Sequence, residues 1–138
     1  MGINEIQDQI IEDFSFFDDW MEKYEYIIDL GKNLPVIEDQ YKVEENLIKG
    51  CQSRVWLHAE MDDDKVKFTA DSDAVITKGI IGLLIQVLND HSAEEIAKSE
   101  LYFIDKIGLK EHLSPTRSNG LLSMVKQMKL YGLALSNT

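Results

Sequence analysis

The stretch "RVWLHAEMDDDKVKFTA", Arg54 to Ala70, decides how this chain folds. Its first half alternates: Val55, Leu57 and Ala59 fall on one side, Trp56 and His58 on the other. Its second half alternates too, with Val66, Phe68 and Ala70 against Lys65, Lys67 and Thr69. A period of two is the signature of a strand with one buried face. "MDDDK" between the halves is a turn, so residues 54–60 and 65–70 predict an antiparallel hairpin with one face on a core.

Outside the hairpin the period changes to that of helices. Residues 74–89 are apolar almost all round, which predicts a central buried helix. Gly79 and Gly82 within it permit close backbone packing at some cost in helix stability. Upstream, Ile3, Ile6, Ile10 and Phe14 recur at helical spacing. A second helix is expected from Asp18, as cap, to "GKNLP", with Gly31 as a left-handed stop and Pro35 beyond it. Residues 36–50 read as a loop with a short extended piece. Downstream, "SAEE" at Ser92–Glu95 is a capping box. Ser114 and Pro115 open a last helix with an inner stripe of Leu121, Val125, Met128 and Gly132. Helices, hairpin, helices make an α+β domain, a small antiparallel sheet packed against several helices. One domain over residues 1–138 fits this length, and no repeat or low-complexity linker divides it.

The composition, 44% hydrophobic and 28% charged, is that of a soluble globular chain. Asp and Glu number 25 against 14 Lys and Arg, a net charge of −11. Such a surface repels phosphate backbones and anionic lipids, which argues against nucleic-acid and membrane roles. The longest apolar run is interrupted by Lys78 and is too short to span a bilayer. No signal peptide is visible, and the expected compartment is the reducing cytoplasm.

The chain has one cysteine, Cys51, in "IKGCQSRVWL". It cannot form an internal disulfide, nor build a Cys-rich metal site alone. One reading is a buried structural thiol, since free cysteine is among the most buried residue types. The other is chemistry. Gly50 removes bulk beside the sulfur, the neighbours are polar, and Lys49 and Arg54 supply positive charge that favours a thiolate. A Cys-His hydrolase needs an imidazole within reach, and His58, His91 and His112 are not placed for it by sequence. A dithiol oxidoreductase needs a second cysteine. A single-thiol carrier remains: a thiolate can take over the outer sulfur of another protein's persulfide, and no neighbouring thiol can then release it. If the chain is extended from Cys51, then Cys51, Ser53 and Val55 point to the core side, and the thiol is turned inward at a loop tip.

Two further motifs carry polar groups. "LSPTRSNG" combines hydroxyls, Arg117 and a glycine at a helix start, an arrangement that caps the helix or binds an anion. "DSDA", Asp71–Ala74, reads as helix-capping acids favoured by the dipole, with no convincing metal cluster.

These residues resemble the SufE family of sulfur-acceptor proteins of iron–sulfur cluster assembly. "GCQSRVW" (Gly50–Trp56) is similar to the family's active-cysteine motif. "WMEKYEYIIDLGKNLP", "ADSDAVITKGIIGLL" and "HLSPTRSNGL" resemble further family blocks in family order. The resemblance implies a SufE/NifU-like (IscU-like) α+β fold. It implies a carrier that accepts sulfur from a pyridoxal-phosphate cysteine desulfurase (SufS type), stimulates it, and passes sulfur to a scaffold (SufBCD type). It makes Cys51 the persulfide carrier. Gly50, Gln52, Ser53 and Arg54 belong to its loop, and Asp73, Arg117 and Asn119 are secondary site or partner-contact residues. It implies no cofactor of the chain's own and no metal. Cluster scaffolds use several cysteine ligands, and this chain has one. The alternative is a non-catalytic module that regulates a desulfurase or scaffold, with Cys51 structural. The oligomeric state stays open, a homodimer included.

Overall fold

The computed structural model describes residues 2–136. The described residues form helices α1 (Ile3–Ser15) and α2 (Trp20–Lys32), strands β1 (Val55–Asp62) and β2 (Lys65–Ser72), then helices α3 (Val75–Leu88), α4 (Ala93–Lys98), α5 (Phe103–Lys106) and α6 (Pro115–Ser136). Single 3-10 turns at Asp39–Tyr41, Glu44–Asn46 and Lys110–His112 fill the connections. This is the α+β arrangement that the hairpin implies.

The strands pair antiparallel from Val55 opposite Ser72 to Asp62 opposite Lys65. The turn is therefore only Asp63–Asp64, tighter than "MDDDK", and Asp63 takes the left-handed conformation at φ 57°. Aspartate tolerates that region because its side chain can bond its own backbone. Val55, Leu57, Val66, Phe68 and Ala70 are fully buried, as the alternation requires. A two-stranded sheet is marginal alone and exposes two edges. Here both edges are met. Val36 bridges to Ala70, His91 to Val66, and Leu47 to Trp56. The short extended piece expected within 36–50 is found as the single-residue bridges at Val36 and Leu47.

Helix α3 is the centre of the core. Ile80, Ile81, Leu83, Leu84, Ile85, Val87 and Leu88 are at most 2% exposed. A helix that is apolar all round has to be covered on all sides, and α3 packs against α2, β2, α1 and α6. Its approach to α2 is backbone to backbone. A Cβ on Gly79 would lie 2.3 Å from the Ile27 carbonyl oxygen, and one on Gly31 would lie 2.9 Å from the Gly79 nitrogen. Gly31 is thus a buried contact inside α2, not its left-handed stop; the helix runs on to Lys32, with Asn33 as its C-cap. The cap also differs by one residue. The side chain of Asp19, not Asp18, accepts the Glu22 N–H at 3.0 Å, while the Asp18 N–H is bound by the Glu22 carboxylate.

Other caps follow the sequence. Ser92 and Glu95 exchange side-chain bonds in a capping box. Ser114 Oγ accepts the Arg117 N–H at 3.2 Å. The acids of "DSDA" do not cap α3, whose first turn has no side-chain cap. Asp71 instead meets Lys42 at 2.9 Å and Lys78 at 3.3 Å. Burial alone would raise its pKa, but hydrogen bonds from Lys42, the Ser72 N–H and Lys78 outweigh that and hold it below the usual carboxylate range. Gln7 is a buried polar residue that helical periodicity does not flag. Its amide donates to the Glu100 carbonyl and accepts the Phe103 N–H, pinning α1 to the chain before α5.

Gly79→Ala gains about 1 kcal/mol of helix propensity but forces α2 and α3 apart. A net loss of about 1–3 kcal/mol is expected in urea unfolding. Gly82→Ala, whose Cβ would meet the Leu30 oxygen at 3.3 Å, should cost less in the same measurement. The depressed pKa of Asp71 adds stability above the ordinary carboxylate range that is lost as pH falls through the native value. Asp71→Asn should therefore lower stability at neutral pH and flatten its decline on acidification, as followed by circular dichroism.

Candidate functional site

Cys51 sits in the loop Lys49–Arg54, and the loop is closed at its base. The Ile48 N–H donates to the Val55 carbonyl at 2.8 Å, just where β1 begins. Gly50 turns the chain at φ 92°, a region that L side chains rarely adopt. A Cβ there would also fall 2.6 Å from Ser123 Oγ of α6. Two properties of glycine, its backbone freedom and its lack of bulk, are used at once. The loop's other end is tied by Asp73, whose carboxylate accepts the Arg54 N–H at 3.0 Å. The Asp73 N–H in turn donates to the Arg54 carbonyl at 3.3 Å.

The thiol points inward, but not through strand register. Gln52 and Ser53 form a bend, so the chain is not extended from Cys51 to Val55. The inward direction comes from the Gly50 turn and from α6. Cys51 Sγ donates to the Gly120 carbonyl at 3.6 Å, a weak S–H bond. Gly120 has no side chain to hold the sulfur off, and a Cβ there would already touch Sγ at 3.4 Å. Behind the sulfur lies a cavity of about 10 Å³ lined by Gln52, Ser53, Thr77, Ile80, Arg117 and Met124 together with Gly120. That is room for about one water-sized atom. On the loop's outer side a hollow of about 250 Å³ runs from Glu44 to Arg54.

Burial raises the pKa of the Cys51 thiol. Lys49 and Arg54 do not offset this, so the expectation of a favoured thiolate does not hold for this closed loop. Both side chains are exposed, and burial is the cause that governs the sulfur. The three histidines are elsewhere. His58 stacks on Tyr41, His112 stacks on Trp20, and His91 is buried with Nδ1 against the Leu88 carbonyl. None lines the cavity. Among the described residues no group of acids, histidines and cysteine is arranged to hold a metal ion.

Of the residues singled out in the sequence, Cys51, Gln52, Ser53 and Arg117 meet at the cavity. Gly50 and Arg54 shape the loop, and Asp73 holds it. Asn119 is exposed on α6 and does not line the cavity. Thr77, Ile80 and Met124 are the residues that sequence reasoning passes over. Thr77 had a signal, a hydroxyl in a helix otherwise apolar nearly throughout. Ile80 and Met124 had none, because they look like any other core residue.

Residues 8–131 match the family described as SufE: Fe-S metabolism associated domain. The chain belongs to the SufE family. An uncharacterized SufE-like protein of Rhizobium meliloti (strain 1021) is 42% identical over 127 residues, covering 88% of this chain and 91% of that protein. One from Rhizobium etli is 44% identical over 127 residues, covering 88% of this chain and 86% of that protein. SufE-like protein 1, chloroplastic/mitochondrial, of Arabidopsis thaliana is 39% identical over 92% of this chain, which spans 34% of its length. The solution structure of a hypothetical protein from Thermus thermophilus has the same fold. It superposes with a TM-score of 0.81 over 96% of this chain and 97% of that one, at 21% identity. The SufE family is thus one associated with iron–sulfur metabolism, and no helix among the described residues is long and apolar enough to cross a membrane.

The raised thiol pKa gives a pH signature. The native protein holds the proton more tightly than the unfolded chain does. The stability this contributes is full below the unfolded thiol's pKa and is lost as pH rises through the raised native value. At around pH 8, iodoacetamide should therefore alkylate native Cys51 more slowly than the thiol of urea-unfolded protein. Asp73→Ala, which unties one end of the loop, should speed native alkylation by about tenfold or less without a matching change in fold, read by mass spectrometry and circular dichroism.

Proposed function

We propose that this SufE-family protein is a sulfur carrier that takes persulfide sulfur from a pyridoxal-phosphate cysteine desulfurase onto Cys51 and passes it on for iron–sulfur cluster assembly. The observation that carries the reading is the seat of the thiol. It is the chain's one sulfhydryl, half-buried on a tied loop over a cavity of one-atom size, with no histidine beside it.

The transfer needs no base at the site and no oxidant. The Cys51 thiolate attacks the outer, sulfane sulfur of the donor's persulfide. A new S–S bond forms on Cys51, the donor's S–S bond breaks, and the donor's cysteine leaves as thiolate. The sulfane sulfur changes hands at a constant overall oxidation level. The closed loop disfavours the thiolate, so the reaction asks for an open loop. Swinging Cys51 out from Gly120 removes the burial that raises its pKa and presents the sulfur to the partner. Closing the loop afterwards returns the sulfur to shelter beside Thr77 and Ile80. Arg117 is the one cation that lines this cavity, and it suits an anionic persulfide. Gly50 and Asp73 are positioning residues, acting through the loop.

The acidic surface asks for basic residues on the desulfurase face that receives the loop, and added salt should weaken that complex. The deciding test is intact mass after incubation with a SufS-type desulfurase, its cofactor and cysteine. The expected result is a gain of about 32 Da, one sulfur, on the wild type, reversed by dithiothreitol and missing from Cys51→Ser. Full stimulation of the desulfurase by Cys51→Ser, with no adduct on the wild type, would make the protein a non-catalytic regulatory module instead.

A further inference from the structure

Helix α6 has a second apolar face that the fold does not use. Leu121, Met124 and Met128 face the core and are at most 2% exposed. On the opposite side Leu122, Leu130 and Leu133 are 48%, 45% and 53% exposed. A helix with one core to serve has a polar outer face, so this second row is unexplained by folding. It is not a loose surface. Gly132 lets α4 approach α6 so closely that a Cβ would lie 2.9 Å from Ile96 and 3.0 Å from the Ala97 nitrogen. Ala97 then walls a groove of about 400 Å³ floored by Leu122, Leu130 and Leu133. From Leu122 to Leu133 it runs about 16 Å at 1.5 Å per residue, the length of three helical turns.

The groove's charge is opposite to that of the protein. The chain carries −11 overall, yet α6 holds Arg117, Lys126 and Lys129 and no aspartate or glutamate. Lys126 and Lys129 line the groove. Among the described residues neither is paired with a carboxylate. Two free ammonium groups amid exposed leucines select a ligand that is apolar along its middle and anionic at its flank.

We propose that the outer face of α6, with Ala97 of α4, docks an acidic amphipathic helix of a protein partner. Leucine-type side chains of that helix fill the groove, and its carboxylates meet Lys126 and Lys129. This surface lies on the far side of α6 from its core stripe, and it rests on charge and apolarity, not on the chemistry of Cys51.

The test uses the isotope-labelled full chain and two synthetic helical peptides with the same leucine spacing, one flanked by glutamates and one by lysines. The glutamate peptide should give saturable amide shifts confined to Ala97 and residues 122–133. The Lys126→Glu/Lys129→Glu protein should bind it at least about tenfold more weakly, and salt should weaken the wild type likewise. Absence of binding, equal binding of both peptides, or shifts centred elsewhere would overturn the proposal. So would a dimer of the unliganded protein that Leu130→Lys dissociates, which would make the occupant a second copy. Binding of α6 to phosphatidylserine vesicles in preference to the peptide would overturn it too.

Discussion

Everything at the cysteine depends on how closely α2 can approach α3. The contact at Gly31 and Gly79 brings the two backbones together with no side chain between them. That contact seats α3 deep enough to be covered by the sheet and by α6 as well. Thr77 and Ile80, which back the cavity, stand on either side of Gly79 in the same helix. A small residue in the core and the shelter of a surface thiol are therefore one constraint. Side chains at Gly31 or Gly79 would move the wall behind the sulfur before they touched the sulfur itself.

The closed loop meets two opposed demands. A carrier thiol has to be ionised to accept sulfur and hidden to keep it. Charge near the sulfur would serve the first, and burial serves the second. This protein is built for the second in its resting state, since burial raises the thiol pKa and its cationic neighbours stay in solvent. In the sulfur carriage proposed above, the first is met when the loop leaves Gly120. On that proposal, resting inertness and reactivity are separated in time by a movement of one short loop.

Much of this is legible in the sequence, and the rest is hidden for local reasons. Alternation around Arg54–Ala70 gives the hairpin its buried face, because a period of two leaves little freedom once one face is apolar. The all-round apolarity of residues 74–89 places α3 at the centre. Errors arise where one residue type serves two purposes. Gly31 ends a helix or admits a neighbour, and only the neighbour, Gly79, tells which. Asp71 and Asp73 cap a helix or bind what lies across space, and their partners Lys42 and Arg54 are distant in sequence. Strand register predicts the inward thiol for a reason that does not apply, since the chain bends at Gln52–Ser53. Family resemblance locates the loop residues. Periodicity does not distinguish Ile80 and Met124 from the rest of the core.

The hydrogen bond from Ile48 to Val55 has a consequence of a different kind. It fastens the base of the loop to the first residue of the sheet, and the six residues above it are held down by the Cys51–Gly120 contact and the Asp73–Arg54 tie. Neither of these ties belongs to the β1–β2 ladder, so lifting the loop would break them without breaking a strand pair. The free energy of presenting the thiol is thus separate from the free energy of unfolding. A change at Asp73 therefore acts first on the exposure of the thiol and little on the stability of the rest of the molecule.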